Sequence, residues 1–99
     1  MKKLNINIYE YLSKGKDNAK TRTALVKLLG ISDRRLRAVI KTERLKGIPI
    51  ISSSKKRGYW LPSSKEEINV FISENQHRIK ELSNINAAMR LYIIENGSD

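Results

Sequence analysis

Residues 23–45 read TALVKLLGISDRRLRAVIKTERL. In the first part, Ala24, Leu25, Leu28 and Leu29 recur at helical spacing, and Gly30 supplies the left-handed conformation that ends a helix. Ile31 is an apolar residue in the corner, where a turn would bury it. Ser32 is an N-cap residue type, and Asp33 follows in the first turn, where the helix dipole favours an anion. A second helix is expected over residues 33–44, with Gly47 as its stop. At about 100° per residue, Leu36, Val39 and Ile40 share one face of it. Arg34, Arg37, Ala38 and Lys41 share the opposite face.

Two residues fit this second helix poorly. Glu43 falls on the inner face beside Leu36 and Ile40, and Leu45 points outward. A buried, unpaired carboxylate is costly. Either the helix distorts after Thr42, or Glu43 sits at the rim beside a cation.

Upstream, residues 5–13 (NINIYEYLS) read as a short helix that places Ile8, Tyr11 and Leu12 on one face, with Asn5 or Asn7 as its cap. Residues 14–18 form a polar, glycine-bearing loop. Residues 19–22 have room for a short strand, and Thr21 or Thr23 caps the helix that follows. Downstream, residues 48–51 (IPII) are β-branched and bounded by Gly and Pro, which predicts a strand. Ser52, Ser53, Ser54, Lys55, Lys56, Arg57 and Gly58 make a polar turn with three consecutive cations. Residues 59–61 (YWL) return as the second strand of a β-hairpin, and Pro62 ends it. So small a hairpin is marginal in water unless it leans on the helices, so Trp60 or Tyr59 must point inward.

Two helices joined by a tight corner, the second armed with cations, form a helix-turn-helix motif. Three helices followed by a hairpin give the winged form of that plan. Residues 5–62 resemble the N-terminal DNA-binding domain of the biotin operon repressor and small winged-helix proteins of phages and plasmids. The carrying residues are Leu28-Leu29-Gly30-Ile31-Ser32, then Leu36, Ile40 and Arg44. Gly47-Ile48-Pro49-Ile50 and Arg57-Gly58-Tyr59-Trp60-Leu61-Pro62 complete the set. Glu43 departs from the pattern, since that family usually has an apolar residue there. No biotin-ligase domain follows, so that activity does not carry over. The resemblance implies that Ser32 and Asp33 approach a duplex at the helix N-terminus. It implies Arg34, Arg37, Ala38 and Lys41 in the major groove, with Arg35 and Arg44 on the flanks. Thr21, Thr23 and Lys27 would meet phosphates. Ser53, Ser54, Lys55, Lys56 and Arg57 would form the wing, reaching backbone or minor groove.

Charge agrees with a polyanionic partner for one part of the chain only. The 99 residues carry net charge +10. Residues 1–61 hold sixteen Lys/Arg against four Asp/Glu, or +12, and residues 62–99 hold four against six, or −2. The chain has no cysteine, which excludes disulfides and thiolate metal sites. It has no apolar run of membrane-spanning length and no secretory leader pattern, so a cytoplasmic location is expected.

Residues 64–95 contain neither Gly nor Pro, and Ser63 and Ser64 stand at capping-box spacing from Glu66 and Glu67. A long helix is therefore expected. Its stripe follows heptad steps of four and three: Ile68, Ile72, Asn75, Ile79, Leu82, Asn86, Met89 and Ile93. Ile72, Ile79, Asn86 and Ile93 take position a, and Ile68, Asn75, Leu82 and Met89 take position d. Phe71, Ile85 and Tyr92 widen the stripe on the g side. The stripe either completes the monomer's core or pairs with a second copy. Dimerisation through Ile72, Ile79, Leu82, Asn86, Met89 and Ile93 is the expectation.

No catalytic constellation is visible. His77, the only histidine, has no partner at metal spacing, and neither glycine-rich phosphate loop nor ligand-binding domain is present. No enzyme activity, cofactor, metal or small-molecule ligand is expected. The chain is thus expected to be an α+β protein, mainly helical with a small β-hairpin. Residues 1–62 form a winged helix-turn-helix domain and residues 63–99 a C-terminal dimerisation helix. The expected function is sequence-specific binding of double-stranded DNA by a phage or plasmid transcription regulator. The alternatives are an accessory factor that organises DNA for replication, partition or conjugative transfer, and a protein-interaction adaptor.

Overall fold

A computed structural model of the chain describes residues 7–53 and 58–97. The chain is mainly helical with a small antiparallel hairpin, an α+β fold. It divides into two compact units, Met1–Ile68 and Asn69–Asp99. The first unit holds 3-10 turns at Ile8–Tyr11 and Lys16–Asn18, helices α1 (Arg22–Leu29) and α2 (Asp33–Leu45), and strands β1 (Ile51–Ser52) and β2 (Tyr59–Trp60). Helix α3 (Lys65–Asn96) begins in the first unit and makes up the second.

The α1–α2 corner forms as its residues dictate. The Thr21 hydroxyl accepts from the Ala24 amide at 3.0 Å and caps α1. Gly30 ends that helix at φ 65°, ψ 35°, the left-handed region where glycine meets no Cβ penalty. The Ser32 hydroxyl accepts from the Arg35 amide at 3.1 Å and opens α2. Ile31 is half-buried and packs on the core. The core of this unit gathers Ile8, Leu12, Leu25, Leu36, Ile40 and Ile50. In α1 the inward face is carried by buried Leu25 with half-buried Val26 and Leu29 beside it, and Leu28 turns out and is 58% exposed.

The stretch expected as a first helix makes only one 3-10 turn, Ile8–Tyr11, among the described residues. At Leu12 the backbone becomes extended, and the chain turns to pair with the hairpin instead. The Leu61 amide donates to Ser13 O at 2.9 Å, and the Gly15 amide donates to Leu61 O at 2.8 Å. Those bonds compete with further helix. Ile8 and Leu12 are buried as expected, whereas Tyr11 is exposed.

The first hairpin strand also starts later than the IPII run suggested. Residues 48–50 close a tight turn, with the Ile50 amide donating to Ile48 O at 2.9 Å. Pro49 has no amide for a ladder, and Ile50 O is taken by the Arg44 guanidinium. Pairing begins at Ile51, opposite Trp60, and continues with Ser52 opposite Tyr59. On the other edge of β2, Lys20 and Tyr59 exchange two backbone bonds of 3.0 and 2.9 Å, the single bridge formed by the segment read as a possible strand. Gly58 makes that approach possible. A Cβ there would sit 2.7 Å from Lys20 O, and its φ is +111°.

Trp60 points inward and is 3% exposed, while Tyr59 is half-buried against the core edge. The Trp60 indole N–H donates to Glu67 Oε1 at 3.2 Å, and the Ser63 hydroxyl donates to Glu67 Oε2 at 2.7 Å. Glu67 thus ties the first turn of α3 to the hairpin, which carries the first unit through Ile68. The Ser63 hydroxyl, joined by the Trp60 indole and the nearby Lys16 charge, holds the Glu67 carboxyl below the ordinary glutamate value of 4.5. A carboxyl held low stabilises the tie above that value and loses it as pH falls through the folded-state value. Trp60, the only tryptophan, should therefore report an acid transition in its fluorescence centred below pH 4.5. Glu67→Gln should remove that transition, and an unchanged titration in the variant would show that Glu67 is not its source.

Candidate nucleic-acid interface

Helix α2 separates its residues into two faces. Leu36, Ile40 and Glu43 are buried, and Arg34, Arg35, Arg37, Ala38 and Lys41 are exposed. Ser32 is exposed at the helix N-terminus and Asp33 is half-buried beside it. Among the described residues, Arg34, Arg35 and Lys41 make no ion pair. The outer face is therefore a cationic strip mounted on an apolar inner face.

Arg37 is partly engaged. Its Nε lies 3.2 Å from Asp33 Oδ2, one helical turn away, and Arg22 Nε at the start of α1 lies 2.8 Å from Asp33 Oδ1. Asp33 Oδ1 is buried yet accepts no hydrogen bond, so the Arg22 contact is Coulombic attraction rather than a directed bond. Both pairs have exposed side chains, and such pairs contribute about 0–1 kcal/mol. A phosphate can displace either. Asp33 thus acts as a bracket joining the N-termini of α1 and α2.

Arg44 has turned inward. Its Nε–H donates to Ile50 O at 2.8 Å and Nη2 donates to Ser52 Oγ at 3.2 Å. Burial pulls its pKa below the ordinary arginine value. The guanidinium fork locks the end of α2 to β1, so this residue positions the hairpin relative to the strip.

A polar cleft of about 530 Å³ lies between the start of α1 and the hairpin, lined by Thr21, Arg22, Thr23, Ser52, Ser53, Gly58 and Tyr59. The first backbone bond of α1 runs from the Leu25 amide to Thr21 O, so the Arg22 and Thr23 amides precede the hydrogen-bonded ladder. A helix N-terminus whose leading amides lie outside the ladder, with an arginine beside them, is suited to a phosphate oxygen. Thr21 and Thr23 line this cleft. Lys27 lies on the exposed side of α1 and does not. Ser53 lines it as well, whereas the expected wing residues Ser54, Lys55, Lys56 and Arg57 lie outside the described residues.

Two contributors go beyond what the sequence predicts. Arg22 joins both the Asp33 bracket and the cleft. Its signal is an arginine in a first helical turn, where the dipole disfavours a cation unless an anion is close. Glu43 meets neither of the two expectations for it. Helix α2 is continuous through Leu45, and Glu43 has no cation partner among the described residues. It is 4% exposed, and its carboxylate accepts from the Ile8 amide at 2.6 Å and the Tyr9 amide at 3.2 Å. It caps the first 3-10 turn from outside, in place of Asn7, whose side chain makes no cap bond.

In the second unit Ile72, Ile79, Leu82, Met89 and Ile93 are between 49% and 60% exposed, and Asn86 is exposed beside them. Among the described residues no group of His, Asp or Glu is arranged to hold a metal ion, and no helix is long and apolar enough to cross a membrane. No family model, curated protein or solved structure matches the chain.

Proposed function

We propose that this chain is a sequence-specific double-stranded DNA-binding protein of the winged helix-turn-helix type. It acts by occupying its site as a transcription regulator of the kind carried by phages and plasmids, and it works as a homodimer through α3. The observation that carries this reading is the outer face of α2. Arg34, Arg35, Arg37 and Lys41 stand exposed there, on a helix whose inner face is fixed by Leu36, Ile40 and Glu43.

A helix about 10–12 Å across fits the major groove, and arginine can bind guanine O6 and N7 with both arms of its fork. The cleft at the start of α1 supports the same reading, because Arg22 and the hydroxyl-bearing Thr21, Thr23, Ser52 and Ser53 line it, residue types that suit a phosphate. The +12 of residues 1–61 supplies the longer-range attraction. A regulator and an accessory factor at an origin or transfer site would use the same surface. The position of the binding site relative to neighbouring genes separates them.

Selection of bound duplexes from a random pool tests the proposal. The expected result is an enriched motif with two related half-sites. Recovery of unenriched sequence would contradict base reading. No recovery at all would leave the exposed face of α3 as the working surface of a protein adaptor.

A further inference from the structure

We infer that two copies of α3 pair antiparallel, in a single register that sets Ile72 of one chain against Met89 of the other. This inference rests on the homodimer reading above and specifies its geometry. The seam residues from Ile68 to Ile93 are spaced by alternating steps of four and three that are the same in either direction. The chemistry is also matched in reverse. With one copy inverted, Ile68 meets Ile93, Ile72 meets Met89, and Ile79 meets Leu82. Asn75 meets Asn86. Every apolar residue thus faces an apolar one, and each amide faces an amide that can satisfy it.

The flanks favour the inverted arrangement over a parallel one. In a parallel pair each g residue lies against an e residue of the other helix, which sets Phe71 on Gln76 and Ile85 on Arg90. Inverted, g residues meet g residues and e residues meet e residues. Phe71 then lies against Tyr92, whereas Ile85 meets an arginine stem in either arrangement and does not separate them. Asn69, Gln76, Ser83 and Arg90 are left together on a polar flank. Within one chain Asn75 Oδ1 already accepts from Arg78 Nη1 at 3.1 Å, which leaves the Asn75 amide nitrogen to donate across the seam. Leu91 and Ile94 lie off the seam, and this pairing does not cover them.

Charge points the same way. A parallel pair would start both helices at one end and bring two modules of +12 together. In the inverted pair the two Ile68 positions are separated along the seam by ~37 Å at about 1.5 Å per residue. That is several times the screening length of about 8 Å at physiological salt.

The absence of cysteine in the chain allows a clean cross-linking test. Ile72→Cys and Met89→Cys chains are prepared separately, oxidised alone and as a mixture, and the uncross-linked full-length chain is weighed by sedimentation. The expected result is a dimer mass, with disulfide-linked dimer formed in the mixture and in neither variant alone. Self-linking of Ile72→Cys would establish a parallel pair and overturn the inference while leaving the dimer intact. A dimer mass without linkage in the mixture would overturn the register. A monomer mass at ~100 µM would remove the homodimer reading and the inference with it. Asn75→Leu supplies a test free of cysteine. Inverted, it sets the introduced leucine against a buried Asn86 and should weaken dimerisation about tenfold. Parallel, it would set leucine on leucine and strengthen dimerisation, which would contradict the inference.

Discussion

Glu43→Ala should lower the stability of the first unit by about 3 kcal/mol, as much as truncating a buried core side chain. The two amides it accepts from, those of Ile8 and Tyr9, would lose a charged acceptor in a buried setting. A hydrogen bond to a charged group contributes about 1.5–3 kcal/mol, and an orphaned buried donor costs about 1–3. At roughly 4–8 °C per kcal/mol for a domain of this size, the melting midpoint should fall by about 15 °C. Trp60 fluorescence or circular dichroism reads it directly. Glu43→Leu sharpens the test, because leucine suits the apolar face on which position 43 lies. It restores buried area but supplies no acceptor, so it should remain about 1 kcal/mol or more below the parent. A Glu43→Leu chain as stable as the parent would refute the capping role.

Replacing both Arg34 and Lys41 with alanine should have the opposite profile. Neither side chain has an ion-pair partner among the described residues, and both are exposed, so the melting midpoint should hardly move. Affinity for a selected duplex should fall about 100-fold, since one bidentate base contact is worth about 1–3 kcal/mol and the lost lysine removes a phosphate contact. Arg34→Ala alone should also relax the preference for the selected sequence over a scrambled one. Arg37→Ala should weaken binding less than Arg34→Ala, because Asp33 already balances part of that charge. Arg44 provides the contrast: its alanine variant should lose stability and binding together, since its guanidinium holds Ile50 and Ser52. Equal affinity of parent and double variant would take DNA away from the outer face of α2.

Local chemistry made the α1–α2 corner legible. Gly30, Ser32 and the spacing of Leu36, Val39 and Ile40 act within a few residues of each other, and the structure forms them as their types require. The hairpin was legible for the same reason, from a β-branched run, a polar turn and an aromatic pair. What sequence could not reveal depended on contacts between distant segments. Glu43 finds its partners thirty-five and thirty-four positions away, at amides that carry no side-chain signature. Arg44 lies on the flank of α2 and Arg34 on its outer face, and it is the arrival of β1 beside that flank that turns Arg44 in. The short reach of the first helical segment likewise follows from pairing with Leu61, far along the chain. The cationic strip could be read from periodicity alone, but the Asp33 bracket that joins it to Arg22 required the two helices to be placed together.

Binding of a selected duplex, followed by fluorescence anisotropy as salt is raised from about 50 to 200 mM, tests most directly whether the α2 strip and the cleft of α1 grip a nucleic-acid backbone. Six or more phosphate contacts should give a linear fall of log affinity with log salt, steep enough to lose about a thousandfold over that range. Affinity that is absent at about 50 mM, or that stays level across the range, would contradict the DNA-binding assignment.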